Sequence, residues 1–281
     1  MNLLLWTGKV TEEHVPILEE LKQNGYDGVE IPLFDFDTKN NKILRKHLDR
    51  LELGCTTVTV MPEEANPISN DKAVRAAALK HLKNAIRQTV LLGGDVLCGP
   101  LTAPCGLLTR NPRTGDEWKY GVEVLRKAAK EAEKSGIKLA LEALNRFETY
   151  FINIVEDAYQ FAKEVDSPNF GVMWDTFHAN IEETDLQKAL EGVGDKLFHV
   201  HISEHNRAIP GEGHTDYAPT FKALKNIGYD GWLTIEAFSS ALPELAGATC
   251  IWRKMFNDNS ELSRKGLQFI QKKLKQHKIA V

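Results

Sequence analysis

Apolar β-like runs and amphipathic helical stretches alternate along this chain of 281 residues without interruption. The apolar runs predict eight strands, at 2–6, 28–33, 54–60, 94–99, 137–143, 170–176, 197–203 and 232–238. A helix is predicted after each strand, at about 11–24, 40–51, 70–92, 115–135, 153–166, 184–193, 217–227 and 260–276. Eight uninterrupted repeats of strand and helix predict an α/β fold, a single (β/α)8 TIM barrel, rather than an open doubly wound sheet.

Length and composition agree with one enclosed core. Apolar residues make up 42% of the chain and charged residues 26%, which is ordinary usage for a globular protein. No linker or low-complexity tract divides the sequence, and α/β barrels of this length form one domain. We therefore predict one barrel domain over residues 1–281, with an extended loop and helix region after the eighth strand at about 239–258.

The charge and the sparse cysteines restrict the partners and the compartment. A formal net charge of −4 offers no overall attraction to nucleic acid or to anionic membranes, so neither partner is expected. The apolar run in MNLLLWTGKV is too short for a signal peptide, and no stretch has the roughly 18 apolar residues of a membrane span. The four cysteines form no CxxC pair. We expect a cytoplasmic protein with reduced thiols.

Four potential metal ligands lie near the carboxyl ends of the last four predicted strands: Glu142, Asp175, His201 and Glu236. Because side chains alternate along a strand, these four should point into the barrel, at the end where TIM barrels carry their active sites. Three carboxylates and one imidazole suit Mn²⁺, Co²⁺ or Mg²⁺ with open coordination positions. The sequence predicts a site for one divalent ion, and separately hydrogen-bonded polar residues are the alternative.

Four segments carry a more specific resemblance: LEALNRFE (141–148), WDTFHAN (174–180), HVHISEHNRAIPGEG (199–213) and TIEAF (234–238). They resemble the signature segments of the ketose 3-epimerase family, typified by D-tagatose 3-epimerase and D-psicose 3-epimerase. That family belongs to the xylose isomerase-like TIM barrels. The resemblance is strongest over the carboxyl-terminal two thirds of the chain, and the first 90 residues share only the barrel pattern.

The resemblance implies an isomerase, a carbohydrate epimerase that inverts C3 of a free ketose of the D-tagatose, D-psicose or D-fructose type. It implies one divalent ion per chain, Mn²⁺ in the first place and Co²⁺ or Mg²⁺ as alternatives. Residues that match the family's metal ligands are Glu142, Asp175, His201 and Glu236, and the two glutamates also match its acid and base. Residues that match its contacts to the first two substrate oxygens are Glu148, His178 and Arg207.

The chemistry explains why two glutamates and an ion would be needed. The proton at C3 of a ketose becomes acidic when the adjacent C2 carbonyl is polarised, and a divalent ion at O2 and O3 would stabilise the resulting enediolate. Glu142 and Glu236 come from well separated strands and can approach the sugar from different sides. One can remove the C3 proton while the other delivers a proton to the opposite face, which inverts the carbon centre.

Individual substrate contacts have simpler alternatives. Arg207 could form a surface salt bridge, Glu148 could be a solvated carboxylate, and His178 could cap the following helix. Trp6 ends the first predicted strand and either stacks on the apolar side of a sugar or packs in the core. His199, one layer below His201, either orients a metal-bound carboxylate or is a barrel-core histidine.

The long segment 239–258 carries Trp252, Met255 and Phe256. Such apolar residues either close over the site or form a subunit contact, so a homodimer or homotetramer is predicted.

Two other enzyme classes stay open. Hydroxypyruvate isomerase-like enzymes and other aldose–ketose isomerases also use paired glutamates around one metal. Endonuclease IV-like phosphodiesterases share the barrel, but their site resembles one with several metals, more histidines and a DNA groove, which the acidic balance counts against.

Overall fold

The computed structural model describes residues 1–279, and within that range it contains seven parallel strands. They are hydrogen-bonded in chain order: β1 Gly28–Pro32, β2 Gly54–Val58, β3 Val96–Gly99, β4 Lys138–Glu142, β5 Phe170–Asp175, β6 Leu197–Ile202 and β7 Leu233–Ile235. The predicted TIM barrel is confirmed. The single domain over 1–281 stays a prediction, and residues 280 and 281 lie outside the described part of the chain.

Helices surround the sheet: α1 Val15–Gln23, α2 Thr38–Leu51, α3 Lys72–Leu92, α4 Gly115–Ser135, α5 Val155–Val165, α6 Thr176–Glu182, α7 Leu186–Val193, α8 Ala218–Asn226, α9 Pro243–Ala248 and α10 Asn259–His277. Short 3-10 turns occupy Leu3–Leu5, Glu12–His14, Glu63–Ala65 and Gly194–Lys196. Helix α6 was not predicted, whereas α9 lies within the loop and helix region predicted at about 239–258. None of the helices in the described range is both long and apolar enough to cross a membrane.

The first predicted strand, 2–6, is wrong, because Leu3–Leu5 forms a 3-10 turn. Its cause is Asn2, whose side-chain oxygen accepts a hydrogen bond from the backbone N–H of Leu4 at 2.9 Å. An asparagine side chain competes in this way for backbone donors two residues further on, and it favours a turn over an extended strand.

The same short segment nevertheless closes the barrel. Asn2 donates its backbone N–H to the carbonyl of Ile235 in β7 at 3.0 Å. Glu30 in β1 donates its N–H to the carbonyl of Met1 at 2.9 Å, and Asn2 forms a single parallel bridge with Glu30. Two residues therefore take the place of an eighth strand.

Because side chains alternate between the two faces of each strand, the buried apolar residues form two layers. One layer packs against the helices and contains Leu139, Leu141, Val172, Trp174, Val200 and Ile235. The other fills the barrel and contains Val58, Val96, Cys98, Ala140 and Met173. Because Ala140 and Met173 lie two residues before Glu142 and Asp175, the same periodicity points those two carboxylates inward.

Candidate metal and substrate site

The four predicted metal ligands come together at the carboxyl end of the barrel. Glu142 and Asp175 are the last residues of β4 and β5, His201 is the penultimate residue of β6, and Glu236 directly follows β7. All four are buried. Donor atoms of Glu142, Asp175 and His201 lie within 4.8 Å of one another, and Nδ1 of His201 lies 3.3 Å from Oε1 of Glu236.

Nδ1 of His201 shows that these donors fit a metal ion. The atom is buried and has no hydrogen-bond partner among residues 1–279, although Glu236 and Asp175 Oδ2 lie 3.3 and 4.0 Å away. Buried polar atoms in proteins are normally paired. An imidazole nitrogen facing three carboxylates is a donor set that divalent ions such as Mn²⁺ accept.

Arg207 reaches into the same group of carboxylates. Its Nη1 donates to Oε2 of Glu236 at 2.6 Å and to Oδ2 of Asp175 at 3.0 Å. The guanidinium carbon lies 3.7 Å from the centre of the Phe177 ring, a stacked cation–π contact. Because Arg207 is only 6% exposed, the alternative of a surface salt bridge is wrong.

The pKa values of the two glutamates are shifted in opposite directions although both side chains are buried. Burial and the nearby charges of Glu236 and Asp175 raise the pKa of Glu142 well above its usual range. Burial also acts to raise the pKa of Glu236, but the charges of His201 and Arg207 outweigh it and lower that pKa to about 2. Without metal, Glu142 therefore keeps its proton to a higher pH than Glu236 does.

Asp175 is intermediate between these two glutamates. Burial raises its pKa to about 6, against the lowering effect of Arg207.

Asp175 also begins the helix that carries His178. Its Oδ1 accepts the backbone N–H of Phe177 at 2.7 Å, which caps α6, while Oδ2 faces Arg207. His178 is the third residue of α6. The alternative in which His178 caps this helix is therefore wrong, since Asp175 is the cap.

His178 is held by Asn145, a residue to which the sequence analysis assigned no role. The backbone N–H of Asn145 donates to Nδ1 of His178 at 3.0 Å. Burial and the charge of Arg207 lower the pKa of His178 well below its usual range, so the ring is neutral. Nε2 of His178 lies 3.1 Å from Nη2 of Arg207 and 3.5 Å from Oε1 of Glu142.

Glu148 joins this group through the same residue. It is half-buried, and its Oε1 accepts a hydrogen bond from Nδ2 of Asn145 at 2.7 Å. Trp6 follows the first 3-10 turn. Its side chain is partly buried and packs against the apolar layer between the sheet and the helices. Substrate contacts by Glu148 and Trp6 stay predictions.

A buried carboxylate that the sequence analysis missed, Glu30 in β1, lies beneath the predicted metal ligands. It is surrounded by five side chains from four separate parts of the chain: Asn2, Thr56, Cys98, and His199 and His201 of β6. One signal was visible in the run GVEIPL, where a glutamate interrupts an otherwise apolar strand. A buried charge is costly unless it is paired, so such a glutamate indicates partners inside the barrel.

Comparisons with known proteins agree with this geometry. The xylose isomerase-like TIM barrel family matches residues 18–273. The chain is 34% identical over 273 residues to an L-ribulose 3-epimerase from Mesorhizobium japonicum, covering 96% of this chain and 92% of that protein. It is 31% identical over 274 residues to a ketose 3-epimerase from Arthrobacter globiformis, covering 96% and 94%.

A solved structure is also similar. The crystal structure of a D-allulose 3-epimerase from Methylomonas sp. in complex with D-allulose has a TM-score of 0.91 at 31% identity, over 97% of this chain and 95% of that one. Sequence and fold thus agree over nearly the full length of the relatives. The chain belongs to the ketose 3-epimerases, sugar isomerases within the xylose isomerase-like TIM barrel family.

Proposed function

We propose that this enzyme is a metal-dependent epimerase that inverts C3 of a free ketose. The metal set is Glu142, Asp175, His201 and Glu236. The substrate class includes ketohexoses of the D-tagatose, D-psicose and D-fructose type. The relatives named for L-ribulose add a ketopentose to the sugars that should be tested.

The arrangement of the two glutamates carries this proposal. Glu142 ends β4 and Glu236 follows β7, so two strands separate them around the barrel. Both carboxylates are buried in the same group as His201. A sugar placed between them meets one carboxylate on each side, so one glutamate removes the C3 proton and the other protonates the opposite face.

Other residues of the chain hold the sugar and the developing charge. Nη2 of Arg207 lies 3.1 Å from Nε2 of His178, and the guanidinium carries protons that neighbouring sugar oxygens can accept. The fixed positive charge of Arg207 stabilises negative charge that develops on the oxygen at C2. A bound divalent ion would supply further polarisation of that carbonyl. We propose Mn²⁺ as this ion, with Co²⁺ and Mg²⁺ as alternatives.

Exchange with solvent at C3 tests the proposal. The Mn²⁺-loaded protein is incubated in D₂O with D-fructose, D-tagatose, D-psicose or L-ribulose, and the products are followed by NMR. We expect inversion at C3 together with deuterium at C3. Deuterium at C1 with an aldose product would instead identify an aldose–ketose isomerase of the hydroxypyruvate isomerase-like kind.

Two controls separate the remaining alternatives. Cleavage of an abasic DNA strand, with none of the four ketoses converted, would favour an endonuclease IV-like phosphodiesterase. Elemental analysis should find one Mn²⁺ per chain after removal of loosely bound ions, whereas a nuclease of that kind would hold several.

Assembly and location are further proposals. Phe147 and Trp252 expose 71% and 76% of their surface, and apolar side chains of this size are commonly covered by a partner subunit. We propose a homodimer or homotetramer, which light scattering after size-exclusion chromatography tests. A cytoplasmic location stays a prediction for cell fractionation.

A further inference from the structure

The buried carboxylate of Glu30 contacts one predicted metal ligand and is linked to a second. We infer that Glu30 is a positioning residue that orients His201 directly and Glu236 through Asn2. The inference rests on the metal set of the proposed function. It assigns no contact between Glu30 and the substrate.

The contact with His201 determines which ring nitrogen is free. Nε2 of His201 lies 2.7 Å from Oε1 of Glu30, at hydrogen-bond distance. A ring nitrogen that binds a metal carries no proton, so the proton of the neutral ring lies on the other nitrogen. Because Glu30 accepts the proton of Nε2, Nδ1 is left as the donor atom and faces Glu236 and Asp175.

Asn2 extends this support to Glu236. Its Nδ2 donates to Oε1 of Glu30 at 3.1 Å and to Oε1 of Glu236 at 3.2 Å. The amide itself is oriented, since its oxygen accepts the N–H of Leu4. One amide group therefore fixes the distance between the carboxylate below the site and a carboxylate within it.

Contacts on the other side keep Glu30 from rotating. Its Oε2 accepts hydrogen bonds from Thr56 Oγ1 at 2.9 Å and Cys98 Sγ at 3.2 Å. Nε2 of His199 lies 2.7 Å from the same oxygen. With both oxygens occupied, the carboxylate has one orientation, and this orientation is passed on to His201 and Asn2.

A second ion held by Glu30, Cys98, His199 and His201 is the competing explanation, because their donor atoms lie within 4.8 Å of one another. Nitrogen and oxygen ligands of one tetrahedral Zn²⁺ are about 3.3 Å apart. The observed 2.7 Å between His201 and Glu30 is shorter than that and has the length of a charge-assisted hydrogen bond. The geometry thus favours direct bonding over a shared ion.

The test compares Glu30→Gln with Thr57→Val, a matched variant of similar shape in the same strand, whose hydroxyl contacts Thr89 and the carbonyl of Val96 and not Glu30. Mn²⁺ affinity is measured by electron paramagnetic resonance of the free ion. We expect about a 10- to 100-fold weaker affinity for Glu30→Gln and a change within about twofold for Thr57→Val. Histidine ring ¹⁵N NMR of the Mg²⁺-loaded protein should show the His201 proton on Nε2 in the wild type and an altered signal in Glu30→Gln.

Several results would overturn the inference. These are unchanged affinity in Glu30→Gln, an equal loss in both variants, or a second ion per chain that disappears in Cys98→Ser.

If Glu30→Gln does not fold, Asn2→Ser is the second test. Serine keeps an oxygen that can cap the turn but is too short to reach both carboxylates. Asn2→Ser should weaken Mn²⁺ binding about threefold to tenfold. An unchanged Mn²⁺ affinity of this variant would also overturn the inference about Glu30. A wild-type protein that binds no Mn²⁺ would overturn the proposed metal set as well, whereas the preceding results leave that set intact.

Discussion

The site is built in two ways, on strands and on loops. Glu142, Asp175 and His201 belong to β4, β5 and β6, and Asp175 lies directly beside His201 in the sheet register. Arg207 and Glu148 lie in loops. Main-chain hydrogen bonds of the sheet fix the first group, whereas individual side-chain contacts fix the second. Changes in the strand group should therefore affect chemistry, and changes in the loop group should affect stability or substrate affinity.

Glu204 is the main contact that orders the loop carrying Arg207. This carboxylate is 1% exposed and accepts backbone N–H groups of Gly211 at 2.9 Å and Thr215 at 3.0 Å. Its own carbonyl accepts the N–H of Arg207 at 2.8 Å. Arg207 has a left-handed backbone with φ of 61°, a conformation that non-glycine residues adopt at a cost. The loop thus depends on one buried acid.

The largest effect is expected from Glu236→Gln, at the residue that directly follows β7. Loss of a positioned acid or base should lower kcat by about 10² to 10⁴ while the fold is kept, because the amide has nearly the same shape. Steady-state epimerisation of D-fructose measures kcat, and circular dichroism shows whether the fold is kept. Glu244→Gln on the exposed surface of α9 is the control and should retain full activity. A Glu236→Gln enzyme with normal kcat would contradict the acid–base assignment.

Arg207→Met should produce the next largest effect, in stability. Removing the guanidinium leaves Asp175 and Glu236 buried without their shared positive charge, which costs about 3 to 5 kcal/mol of unfolding free energy. Urea unfolding with EDTA measures this cost, and saturating Mn²⁺ should reduce it by neutralising the same carboxylates.

A surface ion pair provides the control for Arg207. Arg50 pairs with Glu19 at 2.7 Å, and the two side chains are 53% and 41% exposed, so Arg50→Met should cost less than about 1 kcal/mol. Equal destabilisation of Arg207→Met with and without Mn²⁺ would show that the guanidinium and the ion do not share ligands.

Glu204→Gln should destabilise the protein by a smaller amount that depends on pH. Burial acts to raise the pKa of Glu204, but hydrogen bonds from Thr215 and His205 lower it from 4.5 to about 2. A lowered pKa in the folded state stabilises the fold above pH 4.5, and this stabilisation is lost as pH falls towards 2. The variant should lose about 1 to 3 kcal/mol at pH 7.

Urea unfolding at pH 7 and pH 3 tests that dependence. The difference between wild type and Glu204→Gln should shrink at the lower pH, while Glu212→Gln, an exposed change in the same loop, should show little difference at either pH. If the difference in unfolding free energy between wild type and Glu204→Gln is the same at both pH values, the charge of Glu204 does not order the loop.

The smallest effect is expected for Glu148→Gln. The amide oxygen can still accept from Asn145, so stability should change by less than about 0.5 kcal/mol. Loss of the charge should lower kcat/KM about tenfold, mainly through KM, if the carboxylate binds a sugar hydroxyl. Initial rates over a range of ketose concentrations separate the two constants. An unchanged KM would favour the solvated-carboxylate explanation.

Much of the fold was predictable because its periodicity is local. The alternation of seven strands with helices follows from side-chain patterns within each segment. The strand predicted at 2–6 failed because one side chain, Asn2, captures the N–H of Leu4. Helix α6 was missed because its cap, Asp175, is also the last residue of a strand.

The site was predictable where strands carry it and less so elsewhere. Strand ends placed the four candidate ligands at one mouth of the barrel. The burial of Arg207 depends on a loop ordered by Glu204, and no local pattern reveals the direction of a side chain in such a loop. Glu30 was visible as a carboxylate in an apolar strand, but its partners come from remote segments that meet only when the barrel closes.

The double use of Asp175 has a consequence for how such an enzyme can diverge. One oxygen begins the helix that carries His178, and the other belongs to the proposed metal set. A substitution that adapts the second oxygen to a different ion also shifts the start of that helix. Preference for an ion and preference for a sugar are then inherited together, and evolution or engineering can change one only by correcting the other.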